Sequence, residues 1–487
     1  MPYGPRNVSP QSHAQARCSY RACAGLLPLL LFSTVAIAEP RTLEEAWIAA
    51  YKSNPTLAAA RAKLRATDEQ VSQALSNWRP SIDAISNIGR LEQSRPNQAF
   101  FGNSDFVGTS RGYGVQFKQP LFRGFRTKAQ TEAAEKQVLA ARAQLEVAEQ
   151  QLFVDTATAF LDLVRDLAIV QINRDNETVL RKKSEEVQIR STLGDLTQTD
   201  VHQAQSRLAR TRVNRFQAEN AMKADVARFK RLTGEEAAQH FEEPSLTLET
   251  PHDLDDAVKQ AGTHNPNVVA ALHQVEEASA EIGFFKGALL PELNLQFNAT
   301  RNWGESSTLP GLDDTKQVQL QLTVPLFRGG TDYSRTRAAI DTVSERAGDL
   351  QEARHRAQES VSTAWEALLT AQASLAADHD EIDSASLALN GVREESRVGT
   401  RTTLDVLNAE QELLDAETEL AKAKHDAALA IVQIKAAVCQ LTAEALHLPI
   451  KTYDPHLHYD EVRNKWIGWH ADSSDDPSST DKRATPP

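Results

Sequence analysis

The chain has 487 residues, of which 41% are hydrophobic and 24% are charged, and its formal net charge at pH 7 is −13. Because acidic side chains repel phosphate groups, this charge balance argues against nucleic acid as a partner. No segment after residue 38 approaches 18 consecutive apolar residues, so no membrane-spanning helix is expected in the rest of the chain.

The first 38 residues are typical of a secretory signal peptide. Arg6, Arg17 and Arg21 precede an apolar run over 26–37, which ends in a small-residue cleavage site. A membrane anchor is the less favoured alternative, because the run is short and contains a proline. Cleavage removes three arginines, no acidic residue and two of the three cysteines, which leaves a net charge of −16 and a single cysteine, Cys439. The mature chain is therefore expected to be exported and to form no internal disulfide.

The mature chain is an internal twofold repeat. Pro120-Leu121-Phe122-Arg123-Gly124 returns 205 residues later as Pro325-Leu326-Phe327-Arg328-Gly329, and Asn54-Pro55 returns 211 residues later as Asn265-Pro266. The offset changes within a predicted hairpin loop, since loops absorb insertions while helices hold their register. The pattern predicts a first repeat over 39–252, a second over 253–450, a C-terminal segment over 451–469 and a disordered tail over 470–487.

Each repeat is predicted to contain one very long helix and two shorter helical stretches. The long helices span 126–192 and 331–397, with 67 residues each. A heptad seam on the first long helix consists of Val138, Leu145, Leu152 and Ala159. The stretch 43–77 and the helix 199–232 together have nearly the length of one long helix. Two half-length helices are therefore expected end to end beside each full-length helix.

Four segments alternate between apolar and polar residues, as β-strands do. At about ten residues each, they are long enough to span a membrane when tilted. Four strands cannot close a barrel alone, and lipid does not tolerate an open sheet edge, so several chains are expected to share one barrel. The alternative is a coiled-coil protein that carries soluble hairpins.

Prolines mark the points where the predicted strands and helices meet. The predicted barrel–helix junction consists of Pro80, Pro120, Phe122, Gly124, Pro291, Pro325, Phe327 and Gly329. Proline donates no ladder hydrogen bond and holds the preceding residue in extended geometry. Pro120 and Pro325 are therefore predicted to end their strands.

The sequence contains little that indicates catalysis or metal binding. Asp454, His456, His458 and Asp460 lie close together, but no second cluster accompanies them, so we predict no metal site and no cofactor. A nucleophile elbow, a phosphate loop, a zinc helix and a paired-carboxylate constellation are all missing from the sequence. An exported enzyme is thus a weakly supported alternative, and we expect no enzymatic activity.

These features together resemble the TolC family of bacterial outer-membrane efflux and type I secretion channels. The resemblance covers Leu43 to Leu448 and is carried by the repeat, both Asn-Pro pairs, both Pro-Leu-Phe-Arg-Gly motifs, Thr156–Phe160 and Val398–Leu407. Tyr453–Pro455 and Val462–Trp466 are similar to the type I secretion branch in particular. The resemblance implies a mainly α-helical fold with a small β part, in which a homotrimer shares one 12-stranded transmembrane β-barrel. Each chain would give four antiparallel strands to it, and a long coiled-coil α-helical barrel would continue it.

The resemblance also implies a site at the turns that join the long and half-length helices. The turn residues, expected to contact a periplasmic adaptor protein, are Leu193, Gly194, Asp195, Leu196, Val398, Gly399 and Thr400. Arg401 would form a periplasmic gate with Thr199 and Asp200, and Asp405 would narrow the pore. Ser396 stands where the family often has a gate tyrosine, and Asn408 stands where a second pore acid is expected. These two departures predict a weaker closed gate and weaker cation selectivity.

The expected function is that of a passive channel in the outer membrane of a Gram-negative bacterium, extending into the periplasm. It would export proteins, small molecules or both, with a periplasmic adaptor and an inner-membrane ABC transporter or another efflux pump as partners. Outer-membrane lipid would surround the barrel. The alternative is a periplasmic coiled-coil adaptor or scaffold, but such proteins usually need a membrane or lipid anchor and a compact β-rich module, which we do not find in the sequence.

Overall fold

The computed structural model of the chain describes residues 41–95, 104–238, 240–244, 246, 251, 253–303 and 312–469. These residues form long helices and one four-stranded antiparallel sheet, so the predicted fold class is confirmed. The predicted signal peptide (1–38) and the predicted disordered tail (470–487) lie outside the described residues. In chain order the elements are α1 (Leu43–Ser53), α2 (Pro55–Ser76), β1 (Ser81–Arg95), β2 (Ser104–Arg123), α3 (Arg126–Thr192), α4 (Gln198–Thr233), α5 (Leu254–His264), α6 (Pro266–Gly287), β3 (Glu292–Trp303), β4 (Leu312–Thr323), α7 (Thr331–Arg397), α8 (Thr403–Ala437) and α9 (Leu457–Val462).

The two long helices, α3 and α7, begin and end at the predicted residues and contain 67 residues each. The heptad seam on α3 is buried along its whole length, because Val138, Leu145, Leu152 and Ala159 are all at most 8% exposed. Among the described residues, no helix has both the length and the apolar character that are needed to cross a membrane. The buried seam of α3 packs lengthwise against neighbouring helices, as in a coiled coil.

The largest hydrophobic core lies midway along α3, where α1, α2, α4 and α8 pack around it. Phe153 and Phe160 are completely buried there, and the indole nitrogen of Trp47 donates a hydrogen bond to the Phe153 carbonyl at 2.9 Å. The rings of Trp47 and Tyr51 each make a tilted contact with the Phe153 ring. The wide apolar face of this part of α3 is thus explained by the four helices that cover it.

The Asn-Pro pair of each repeat joins two half-length helices end to end. The side-chain oxygen of Asn54 accepts a hydrogen bond from Thr56 N at the start of α2, while its side-chain nitrogen donates to Leu232 O at the end of α4. Asn265 makes the equivalent bonds, from Asn267 N and to Ala437 O. One asparagine therefore forms a hydrogen bond with an N–H at the start of one helix and with a C=O at the end of the other, and neither group has a partner within its own helix.

The strands pair in the order β1–β2–β3–β4, each antiparallel to its neighbour. They contain 15, 20, 12 and 12 residues and are longer than predicted. Pro325 follows the end of β4 as predicted, but the prediction that Pro120 ends its strand is wrong. β2 continues to Arg123 because a shift in its pairing with β3, between Pro120 and Phe122, accommodates the missing N–H.

One face of the sheet is apolar and the other is polar. Ile82, Phe117, Phe297 and Val318 are paired across the four strands and form one apolar row, and neighbouring rows on this face add further exposed apolar side chains. The opposite face carries the row Asp83, Gln116, Asn298 and Gln317. Because alternate residues of a strand point to opposite faces, this division follows directly from the period-two pattern of the sequence.

Candidate functional site: junctions and helix-turn tips

The first junction, Pro120–Gly124, packs closely against its own chain. Gly124 has a φ of +60°, and a Cβ atom at this position would lie 2.3 Å from Gly287 O. Gly287 is constrained in the same way, because its Cβ would lie 2.3 Å from Gly124 O. Arg126 and Glu292 form an ion pair of 2.7 Å beside this contact. Two glycines are needed here because the backbones of β2 and α6 approach too closely for any side chain.

The second junction, Pro325–Gly329, is open. Leu326 and Phe327 are 91% and 78% exposed. Gly329 has a φ of +64°, but nothing lies within 4 Å of the position that a Cβ would take. Pro80 and Pro291 lie directly before β1 and β3, at helix–strand boundaries as the sequence predicts. The same five-residue sequence is therefore largely covered in one repeat, apart from Leu121, and largely exposed in the other.

The tip of the first repeat, Leu193–Leu196, joins α3 to α4 through a glycine turn. Gly194 has a φ of +84°, and Asp195 N donates to Arg190 O at 3.0 Å, which closes the helix end. Leu193 is exposed at the apex of the turn. Leu196 packs against a small buried cluster formed by Val187, Val201 and Ala204. The turn is thus fixed by an apolar contact.

The tip of the second repeat, Val398–Arg401, has the same backbone conformation as the first tip but is held by a different side-chain contact. Gly399 has a φ of +82°, and Thr400 N donates to Glu395 O at 3.0 Å. Arg401 stands where the first tip has Leu196, and its Nε donates to Glu395 Oε2 at 2.9 Å. A local ion pair therefore replaces the apolar contact of the first tip.

The acidic residues predicted for the gate and the pore, Asp200 and Asp405, belong to the capping boxes of the helices on which they lie. Asp200 Oδ2 accepts hydrogen bonds from Thr197 N and Oγ1 at 3.0 and 2.7 Å. Asp405 Oδ2 accepts from Thr402 N and Oγ1 at 2.9 and 2.8 Å. Hydrogen bonds from the Thr402 backbone and side chain hold the pKa of Asp405 below its usual value, so this carboxylate is charged at neutral pH. These capping boxes were missed from the sequence, although Thr-x-x-Asp is their signal.

The predicted gate residues are not all joined within one chain. Arg401 contacts Glu395 on its own turn, Asp200 contacts Thr197, and Ser396 lies in the last turn of α7. Thr199 lies in the first turn of α4. The gate itself therefore stays a prediction about contacts between helix pairs.

Asn408, the second predicted pore residue, accepts a hydrogen bond from an arginine side chain. Arg207 Nη2 on α4 donates to Asn408 Oδ1 on α8 at 2.8 Å. This bond links the two repeats near their tips, and sequence reasoning did not find it because the two residues are 201 positions apart. Within the described part of the chain, no three His, Cys, Asp or Glu side chains converge as metal ligands. His458, considered as a ligand, instead faces Asp68 at 3.0 Å.

A charged cluster that sequence reasoning also missed lies where α3, α4 and α8 meet. Asp162 lies 2.8 Å from Arg165, 3.2 Å from Arg228 and 3.1 Å from the Nε2 of His425. Burial opposes the charged ring of His425, but the carboxylates of Asp162 and Asp426 outweigh it and raise the His425 pKa. Burial, together with the neighbouring Asp166, raises the pKa of Asp225 in the same cluster to about 6.

Comparison with known proteins identifies the family. The model of the family described as "Outer membrane efflux protein" matches residues 49–235 and 257–440, one segment in each repeat. The chain is 31% identical to the outer membrane efflux protein BepC of Brucella suis biovar 1, over 92% of this chain and 97% of the relative. It is 25% identical to the outer membrane protein TolC of Vibrio cholerae serotype O1, over 76% of this chain and 84% of that protein.

A solved structure supports the same fold. The CmeC outer membrane channel of Campylobacter jejuni matches with a TM-score of 0.74, over 87% of this chain and 89% of that chain, at 17% sequence identity. The expected TolC-like fold is thereby confirmed, and the chain belongs to the outer membrane efflux protein family.

Proposed function

We propose that three copies of this outer-membrane export protein join into one channel, each giving its four strands to a common 12-stranded barrel. The observation that supports this most directly is the sheet. Its apolar face is exposed, and among the described residues neither β1 nor β4 has a partner strand on its outer edge. Unpaired backbone groups are costly in lipid, so each edge requires a strand from another copy.

The dimensions of the sheet suit this role. The 12 residues of β3 extend over about 40 Å. A tilt of about 45° reduces this length to a height of about 28 Å, close to the apolar band of about 25 Å on outer-membrane barrels. The apolar row that includes Phe117 and Phe297 would face lipid, and the row that includes Gln116 and Asn298 would face the water-filled interior.

The helices would continue this duct into the periplasm. α3 and α7 each contain 67 residues, which corresponds to about 100 Å. The two tips, Leu193–Leu196 and Val398–Arg401, would form the entrance and present exposed Leu193 and Val398 to an adaptor protein. Arg401, Thr199, Asp200 and Ser396 would hold this entrance shut, and Asp405 with Asn408 would line its narrowest part.

The protein would work without catalysis of its own. Its family consists of channel proteins, and an inner-membrane pump would supply the energy through the adaptor. Asp405 would place one negative charge per chain in the pore. Asn408 is neutral and lies against Arg207, so it would reduce the preference for cations that a second acid would give.

Cross-linking between edge strands tests the assembly. The repeat predicts the register across the interface between copies. Gln116 on β2 pairs with Asn298 on β3, and the offsets of 205 and 211 map this pair to Gln321 on β4 and Asn87 on β1 of the next copy. In a Cys439→Ser background, we expect Asn87→Cys with Gln321→Cys to yield covalent trimers when native membranes are treated with a short bismaleimide.

The matched control is the pair Gln116→Cys with Asn298→Cys, which should link only within one chain because those strands already pair with each other. Monomers alone from the edge pair, in protein recovered from the outer membrane, would contradict a shared barrel.

A further inference from the structure

We propose that residues 463–469, here called the C-terminal anchor, insert Trp466, Ile467 and Trp469 into the periplasmic leaflet of the outer membrane. The partner is thus a phospholipid surface. This inference rests on the proposed function in one respect, namely that the sheet lies in the bilayer. It goes further, because it assigns a membrane contact to a part of the chain that belongs neither to the sheet nor to the long helices.

The anchor exposes an unusual amount of apolar surface. Trp466, Ile467 and Trp469 are 66%, 91% and 99% exposed. Gly468 between them has a φ of +136°, a conformation that glycine adopts most readily. In the preceding residues, His458 and Val462 are buried against the helices, so the chain is ordered up to the point where the apolar side chains emerge.

The anchor is held at the helix end of the sheet. The guanidinium of Arg79 donates to Lys465 O at 2.7 Å and lies 4.9 Å from the centre of the Trp466 ring. Ser72 on α2 donates a second hydrogen bond to Lys465 O at 3.3 Å. Arg79 is followed by Pro80, and β1 begins at Ser81. The exposed tryptophans therefore lie next to the start of the strand whose apolar face is exposed.

The chemistry of this place fits the boundary between lipid and water. Tryptophan is enriched at membrane interfaces because its ring is apolar and its N–H is polar. Arginine and lysine place their apolar stems in the same zone while their charges reach the headgroups. The anchor combines both types, with Arg79 over the Trp466 ring. Arg463 and Lys465 lie beside Trp466 and pair with Glu135 and Glu461. At the same end of the sheet, Trp78 is 41% exposed and continues the aromatic surface.

Fluorescence quenching in lipid tests the anchor. The full-length assembly is reconstituted into phospholipid vesicles that contain a lipid with a nitroxide close to its headgroup. The sequence has six tryptophans. Trp466, Trp469, Trp303 and Trp78 are the four that we expect to lie near lipid. The variant Trp466→Phe with Trp469→Phe should lose roughly half of the quenchable fluorescence, because two of these four interfacial rings are removed. Both side chains are exposed, so these changes should leave folding intact.

Two controls make the outcome unambiguous. Trp365→Phe on α7 should leave the quenchable fluorescence unchanged, and Trp303→Phe, at the far end of the sheet, should lower it. If Trp303→Phe lowers it and the double variant does not, the anchor proposal is wrong while the barrel proposal stands. If neither variant changes it, the sheet is not in lipid and the proposed function fails first. Weaker trimers with unchanged quenching would assign the anchor to a neighbouring copy and overturn the lipid contact.

Discussion

The two junctions have identical sequences and different surroundings. At the first, Gly124 lies against Gly287 so closely that neither can carry a side chain. At the second, Gly329 faces open space and Phe327 is exposed. The difference arises because the end of β2 lies against β3 and the end of α6, whereas β4 is an edge strand among the described residues. One repeat finds its packing partner within the chain, and in the proposed assembly the other repeat would find its partner on a second copy.

The repeat also predicts what that second copy would supply. Gly287 corresponds to Ser76 at the offset of 211 that relates the two Asn-Pro pairs. We therefore infer that Gly329 meets Ser76 of a neighbouring chain. Ser76 carries a side chain, so this approach must be looser than the contact between the two glycines of the first junction.

The largest expected effect is the loss of stability when the glycine of each junction is replaced by alanine, which should differ between the two junctions. Gly124→Ala should lower the free energy of unfolding by about 3 kcal/mol or more, since it adds backbone strain to a clash with a carbonyl oxygen. Gly329→Ala should cost only about 1 to 2 kcal/mol, the strain of an L-residue at positive φ. The amount of heat-modifiable trimer recovered from outer membranes measures the first effect, and the dissociation temperature of the trimer measures the second.

The recovered amount of trimer decides whether the two junctions differ. Equal losses of trimer from Gly124→Ala and Gly329→Ala would show that the second junction is as tightly packed in the assembly as the first.

The second expected effect concerns the two tips. The first tip is fixed by apolar Leu196, and the second by the Arg401–Glu395 pair. We expect Arg401→Ala to raise single-channel conductance in planar bilayers severalfold, because the closed entrance would lose its arginine in all three copies. Asp200→Ala should act in the same direction, but it also removes the carboxylate half of the α4 capping box, so Arg401→Ala is the cleaner variant.

A nearby arginine provides the control for this measurement. Arg397 is exposed and pairs with Glu394 one turn before the tip, so Arg397→Ala should leave conductance unchanged. A wild-type conductance for Arg401→Ala would remove this residue from the gate.

The smallest expected effect concerns the charged cluster around Asp162, which occurs in one repeat only. The positions equivalent to His425 and Asp162 are Asn220 and Ala367. The pKa of His425 is raised in the folded protein, so protonated His425 stabilises the fold. This stabilisation is complete at pH values below the usual histidine pKa, and it is lost as the pH rises through the pKa that His425 has in the folded protein. Asp225, with its pKa raised to about 6, also favours the fold at lower pH.

The melting temperature should therefore fall by a few degrees between pH 6 and pH 8, and His425→Gln should reduce this fall. The exposed His379→Gln on α7 should keep the wild-type pH dependence. If both variants show the same slope as the wild type, the cluster does not couple α8 to α3 in a pH-dependent way.

The sequence predicts the helices well because their signals are local and long. An unbroken run of helix-forming residues and the heptad seam led to the observed ends of α3. The strands were underestimated because their polar ends resemble loops. Pro120 was misplaced because sequence shows the missing N–H but not the bulge that accommodates it.

The site was harder to predict because its contacts join distant residues. Arg207 and Asn408, or Asp162 and His425, meet only after two repeats have packed together. The capping roles of Asp200 and Asp405 were within reach of the sequence, since Thr-x-x-Asp at a helix start is a local pattern. Sequence could not reveal which copy of an identical pentapeptide would be covered.

The asparagine links between half-length helices have a mechanical consequence. Beside each unbroken helix, two helix ends meet at a joint that an asparagine side chain bridges, Asn54 to Leu232 O in one repeat and Asn265 to Ala437 O in the other. An unbroken helix resists bending along its whole length, whereas a joint of this kind yields at one point. Any swing of α4 or α8 would therefore pivot at these two asparagines, and the strands beyond them would stay still while the far ends of the helices spread.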